Sequence, residues 1–374
     1  MAHGRIPDHM LQSILELAST ISQCAETLKS NAPAIGTTPR QRLPPSPTVS
    51  NNDIAITPMS ARVRLLEACT EISHLAAGPH DHLITLSMSH QVDSALQYAC
   101  HFNIASHVPV NSRITFSDLS TQARVSTSQC TRILRLLMTH FIFCEPEPGY
   151  VSHTPDSALL LDEHIQSSVG FYTDESMRSA SFLTTAAEKW PVSEEKTETA
   201  FNLAMNTPLP IFEFLQNEPA RAHRFRNTMA GLIQRAHLSL DHLVEGFNWA
   251  SLPDQAVVVD VGGSSGHCSM AIAAAYPHLR FIVQDLDSAL GCHKAGEAVS
   301  DQIEFMPYDF YTPQPIQADV YLLRWILHDY PDKYAAKILQ MQTQSMPPGS
   351  RIILMDSVMM PPGTESRLVE REAR

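Results

Sequence analysis

The sequence has no Cys-x-x-Cys pair, no histidine and cysteine cluster at metal-ligand spacing, and no apolar run near the ~18 residues that cross a bilayer. Its seven cysteines lie far apart, ordinary usage for a reducing compartment. The opening "MAHGRIPDHMLQSILELAS" lacks a basic stretch followed by an uninterrupted apolar core, so no secretory leader is expected. Positive charge is also scarce. Lys and Arg number 26 against 39 Asp and Glu, and the formal charge of -13 argues against a nucleic-acid backbone or an anionic membrane as the main partner. The expectation is a cytoplasmic protein without a metal site, acting on small neutral or weakly charged molecules.

What is present suits a sizeable globular body: 374 residues, 44% hydrophobic and 17% charged. Residues 9–30 carry Leu11, Ile14, Leu15, Leu17, Ile21 and Leu28 at mostly helical spacing. The following "NAPAIGTTPRQRLPPSPTVSNNDIAITP" contains six prolines, which forbid a continuous helix or a central strand and mark a linker. Further helices are expected from about Met59 to Ala77 and from about Ser89 to His101. Residues 115–154 read as a short helix, a turn, a longer helix and a hairpin around a Pro-Gly turn, a winged-helix pattern. Its would-be recognition helix offers only Arg132 and Arg135, so a packing or dimerisation module is favoured over DNA binding.

From about Ala256 the pattern changes to short β-branched runs separated by helices: "AVVVDV", "LRFIVQD", "IEFMPYD", "ADVYLLRWIL" and "SRIILMDSVMM". Near-continuous apolar strands alternating with helices predict an α/β fold with a parallel sheet covered on both faces. After the first strand, "VVVDVGGSSGH" places Asp260 before a turn holding Gly262, Gly263 and Gly266, in a chain with only 14 glycines. Such backbone freedom predicts that something approaches the turn closely. With Ser264 at the second glycine of a G-x-G-x-x-G pattern, and an acid that would repel a pyrophosphate, the turn suits a ligand with an ammonium or sulfonium group, which favours S-adenosylmethionine. Asp285 closes the next strand, where a carboxylate can accept from ribose hydroxyls. Asp309 and Phe310 could hold an adenine by its amino group and ring face. Asp260, Asp285, Asp309, His328 and Asp356 each fall at or just beyond the carboxyl end of a successive predicted strand, the edge along which open α/β sheets bind ligands.

The runs "VVDVGGSSGH", "PHLRFIVQDL", "ADVYLLRWILHDYPD", "RILRLL" and "YVSHTPDS" resemble the S-adenosylmethionine-dependent O-methyltransferases of the caffeic-acid type, in their fungal secondary-metabolite branch. The resemblance implies a Rossmann-like class I methyltransferase sheet preceded by a helical, winged-helix-like dimerisation domain, and a homodimer. It divides the chain into an N-terminal helix (1–30), a linker (31–58), the dimerisation domain (59–165), a helical substrate-pocket segment (166–250) and the cofactor domain (251–374). It implies that Gly262 and Gly263 meet the cofactor through their backbone, that Asp285 binds its ribose, that Asp309 and Phe310 frame its adenine and that Arg324 is a basic contact. His328 matches the family's catalytic base and Asp356 an acid that steers it, whereas Asp329 is expected to face away or to cap the helix begun at Pro331. Ser264 departs from the family's usual glycine.

Acceptor walls are expected from about Phe171 to Phe182 and from Met205 to Leu240. Met177, Phe182, Phe212, Phe214, Met229 and Ile233 there suit a flat, polyketide-like or other aromatic substrate. The family's sheet continues past the strand that carries Asp356, with further strands, a helix and a second acid beside the base. Roughly fifty to sixty residues of such a sheet are expected to be missing, leaving "RIILMDSVMM" at an open edge. Three functions are compatible with these residues: O-methyl transfer to a phenolic or enolic hydroxyl, cofactor-dependent cyclisation or dehydration without methyl transfer, and an inactive partner of a full-length homologue.

Overall fold

The computed structural model describes residues 8–31, 58–232, 238–290 and 300–373. The proline-rich linker, apart from its ends, and the expected pocket residue Ile233 lie outside the described residues. The chain forms two compact units, Met1–Gln91 with Ser357–Arg374, and Val92–Asp356. In the first, the helix Asp8–Ser30 packs on the helical segment Pro58–Ser87, as does the short helix Arg367–Ala373. Pro58–Ser87 is broken at Gly78, whose φ of 73° is outside the helical region, because Pro79 has no N–H to continue the ladder. No described helix is long and apolar enough to cross a membrane.

The second unit begins with the winged-helix elements. Strand β1 (Ile114–Thr115) pairs antiparallel with β2 (Tyr150–Val151). Between them lie the helices Phe116–Ala123 and Thr127–Met138, capped by Thr115 and Ser126. The wing turn is tied back to the longer helix by a bidentate bond from Arg135 to Glu145, both contacts at 2.8 Å. Ile104, Leu119, Leu134, Leu137, Phe143 and Val151 close the core of this part.

The rest is organised by a five-stranded parallel sheet of order β5-β4-β3-β6-β7. Its strands are β3 (Val257–Val261), β4 (Arg280–Asp285), β5 (Ile303–Pro307), β6 (Val320–Arg324) and β7 (Arg351–Met355). The valine-rich β3 and the apolar β6 are the most buried, as strands covered on both faces must be. β7 is the outer strand, and its Leu354 is 51% exposed. The order reverses at β3, whose neighbours are β4 on one side and β6 on the other. The carboxyl ends of β3 and β6 therefore open at a topological switch point, where a crevice forms between the diverging connections.

Candidate active site

The turn after β3 is folded back over β4. The N–H groups of Gly262 and Gly263 both donate to the carbonyl of Gln284, at 2.7 and 3.1 Å. Gly262 and Ser264 have φ of 73° and 49°, and a non-glycine residue pays about 1–2 kcal/mol for that conformation. The close neighbours of this turn are partly the protein itself. A Cβ on Gly263 would lie 2.6 Å from Cγ of Asp260, and one on Gly262 would lie 2.4 Å from Cδ1 of Ile326. Asp260 is turned under the loop, only 1% exposed, and accepts from the Ser269 hydroxyl at 2.7 Å. Burial pushes its carboxyl up to about 6, against the pull of Ser269.

Asp285, at the end of β4, accepts the Ser264 N–H on one oxygen at 2.8 Å and the Leu286 N–H on the other at 2.7 Å. Each oxygen keeps a lone pair for a further donor. Burial raises its pKa while the two backbone bonds oppose the rise. Asp309 follows β5 and accepts the Tyr311 N–H at 2.9 Å. The ring of Phe310 stands edge-on to Tyr311 and Tyr330, with one edge 3.8 Å from where a Cβ on Gly262 would be. The glycine turn, Asp285 and the Asp309–Phe310 turn thus converge on the β4 side of the switch point.

The β6 side carries the charges. β6 is expected to continue through "RWIL" but stops at Arg324, because Trp325 takes φ of 55°. The Arg324 guanidinium lies 3.6 Å from the Trp325 ring centroid and donates to the Leu238 carbonyl at 3.2 Å. Its buried Nε has no well-aligned hydrogen-bond partner among the described residues. A single 3₁₀ turn, Leu327–Asp329, then brings His328 back toward the next strand. Arg324 pairs in register with Met355, so Asp356 comes just beyond the sheet at the same level. His328 Nδ1 lies 2.5 Å from Asp356 Oδ1. That contact is electrostatic and poorly aligned, since Oδ1 receives no hydrogen bond of good geometry.

Asp329 contradicts the expectation that it faces away: its Oδ1 lies 3.5 Å from His328 Nε2, and the helix Asp332–Thr343 is preceded by Pro331 with no side-chain cap. Burial raises Asp329, His328 pulls it down and Asp356 raises it. The histidine therefore sits between two carboxylates.

The helical wall contributes aromatic groups in series. Phe171 meets Phe225 edge-on at 5.6 Å, Phe225 meets Phe212 at 5.9 Å, and Phe212 meets Tyr330 at 6.4 Å. Phe214 turns away to Phe201, and Phe182 is 37% exposed. The wall also hides a charge cluster that the sequence reading did not find. A π-type turn at Tyr172–Ser176 points Glu175 inward, only 3% exposed, onto Arg221 at 2.6 Å and Arg224 at 2.9 Å. Its only sequence signal is the adjacent pair of acids Asp174 and Glu175, and the arginines lie more than forty residues away.

A parallel sheet with a glycine turn after its first strand and an acid closing the second is a Rossmann-like fold. Residues 187–371 match the O-methyltransferase domain family, and residues 84–163 match the O-methyltransferase dimerisation domain. The O-methyltransferase aurJ of Gibberella zeae is 37% identical over an alignment of 340 positions that covers 87% of this chain and 77% of that protein. The chain belongs to the O-methyltransferase family. Among solved structures, OxaC in complex with sinefungin and meleagrin aligns with a TM-score of 0.74 at 21% identity, covering 94% of this chain and 87% of that one. A protein described as a pericyclic reaction enzyme aligns with a TM-score of 0.68 at 22% identity, covering 95% and 87%.

Proposed function

We propose that this chain transfers the methyl group of S-adenosylmethionine to a phenolic or enolic hydroxyl of a small aromatic or polyketide-like metabolite, with His328 as general base, and that it works as a homodimer. The observation that carries this reading is the pairing of His328 with Asp356 at the switch point, across from Asp285 and Phe310. The residues present fit the cofactor. Asp285 has free lone pairs for two hydroxyl donors, Asp309 can accept from an amino group, Phe310 offers a ring face and the buried Nε of Arg324 can donate to an acceptor. Gly262, Gly263 and Gly266 shape the turn against which the cofactor lies, and Asp260 supports that turn from below.

The bound cofactor supplies an electrophilic methyl group on a sulfonium. The chain has to hold the acceptor oxygen in line and remove its proton. A phenol has a pKa of about 10 and its anion is the better nucleophile. In this reading the nearer carboxylate, Asp356, favours the ring proton on Nδ1 by its charge, and Nε2 takes the proton of the acceptor. Asp329, at 3.5 Å from Nε2, is placed to stabilise the imidazolium that results. The series of aromatic contacts from Phe171 to Tyr330 suits a flat ring.

The test is incubation of the purified chain with methyl-labelled S-adenosylmethionine and a panel of phenols. Label in the product supports the reading. A product without label would sink it in favour of cyclisation or dehydration on the same scaffold, a reading supported by the fold shared with the pericyclic enzyme.

A further inference from the structure

We infer that three buried glutamines, Gln284, Gln314 and Gln342, act as a positioning triad that sets the spacing between the glycine turn and the Asp309–Phe310 turn, and with it the preference of the site for an amino-bearing purine. This inference depends on the adenosyl reading of Asp285, Asp309 and Phe310.

The three side chains belong to separate parts of the fold: Gln284 to β4, Gln342 to the helix Asp332–Thr343, and Gln314 to the connection after β5. Their exposures are 0%, 2% and 0% for Gln284, Gln314 and Gln342, so every amide atom must be satisfied from within. Gln284 and Gln314 exchange two bonds, Nε2 to Oε1 at 2.9 Å in one direction and 2.8 Å in the other. The second Gln314 proton goes to Gln342 Oε1 at 2.7 Å, and its second lone pair takes the Ile316 N–H at 3.1 Å. Gln314 thus uses all of its bonding capacity, and its orientation is fixed without ambiguity.

The triad reaches both sides of the nucleoside site. The backbone carbonyl of Gln284 holds the N–H groups of Gly262 and Gly263. On the other side, Gln342 Nε2 donates to the Tyr308 hydroxyl at 3.3 Å, and that hydroxyl donates to the Thr312 carbonyl at 2.7 Å. Residues 308–312, which include Asp309 and Phe310, are bracketed by these bonds, and Thr312 in turn donates twice to the Asp309 carbonyl, at 2.9 and 2.6 Å. Gln284 therefore holds the glycine turn through its backbone and is linked to Tyr308, beside Asp309 and Phe310, through the amides of Gln314 and Gln342. An apolar triad of similar volume would fill the same space with no net loss of stability, because only half-satisfied buried amides are costly. What the amides add is a fixed register, since a reciprocal amide pair allows only one spacing, whereas packed methyl groups slide.

The experiment is calorimetric titration of S-adenosylhomocysteine and of its inosine counterpart, in which an oxo group replaces the adenine amino group. Three proteins are compared: wild type, Gln314→Met, and the double variant Gln284→Met with Gln314→Met. Wild type should bind the adenosyl compound about tenfold more tightly than the inosyl one. Gln314→Met leaves unpaired amides and should lose both melting temperature and most of that ratio. The double variant removes the reciprocal pair and leaves only the Gln342 amide oxygen and the Ile316 N–H without their partner, so its melting temperature should recover part of the loss while the ratio stays near one. Recovery of the ratio together with stability would overturn the triad as a positioning device, and so would an undiminished ratio in both variants. If wild type binds neither compound, the cofactor reading falls and the inference with it. If wild type binds both compounds equally, the adenine preference fails while cofactor binding stands.

Discussion

On the β4 and β5 side of the switch point, the groups that frame the crevice are anchored by the chain: Asp285 accepts two backbone N–H groups, Asp309 one, and the glutamines satisfy each other. On the β6 and β7 side the charged groups are less complete. Arg324 Nε has no well-aligned partner among the described residues, Asp356 Oδ1 meets His328 off-line, and Asp329 stands 3.5 Å from the other ring nitrogen. A preorganised half suits binding of one constant ligand. A half with unspent electrostatics suits a proton that arrives with the acceptor and must be stabilised on the ring.

The strongest way to separate the halves is His328→Ala. If the β6 side carries the chemistry alone, methyl transfer should fall roughly 10²–10⁴-fold, while affinity for S-adenosylhomocysteine stays within about twofold. Turnover of labelled cofactor and a binding titration measure the two halves independently. A parallel loss of affinity and turnover would show that His328 belongs to the binding half and would remove it as base.

Next in size, Asp356→Asn and Asp329→Asn divide the β6 side itself. Asp356 is the nearer carboxylate and favours the ring proton on Nδ1 by its charge, so its amide variant should lower turnover about 10–100-fold, with cofactor affinity kept. Asp329→Asn should cost only a few-fold, because its carboxylate is farther from the ring. Equal losses would mean that the two acids act as one unit, and the reverse order would exchange their roles.

The two halves were unequally legible in the sequence. Strand ends follow from the apolar runs, so the level of Asp260, Asp285, Asp309 and Arg324 could be counted along the chain before any coordinates. Direction could not be counted. Asp260 points beneath the turn because Gly263 leaves room for its carboxylate and Ser269, a full turn into the next helix, supplies a hydroxyl. Asp329 was expected to point away since neighbouring residues usually do, but the positive φ of Trp325 and the 3₁₀ turn rotate it onto His328. The glutamine triad joins positions 284, 314 and 342, and its only local sign is a glutamine inside the apolar run "RFIVQD". Such contacts are made by packing between elements, which periodicity does not encode.

The smallest expected effect concerns stability and sharpens what Asp260 does on the anchored side. Its folded pKa is raised to about 6 by burial, so the folded chain holds this proton more tightly than the unfolded chain. The stability that follows is fully present below the ordinary carboxylate range and is lost as pH rises through about 6. Asp260→Asn keeps the shape and can still accept from Ser269 through its amide oxygen, but it cannot titrate. Denaturant unfolding across that window should therefore give a flatter dependence on pH for the variant, with the two curves drawing apart from the ordinary carboxylate range up to about 6 and holding a constant separation above it. The other raised acids, Asp285 and Asp329, are common to both proteins, so the difference isolates Asp260. Parallel curves would mean that Asp260 reaches solvent or a cation in the apo protein, and would return it to the open face of the crevice.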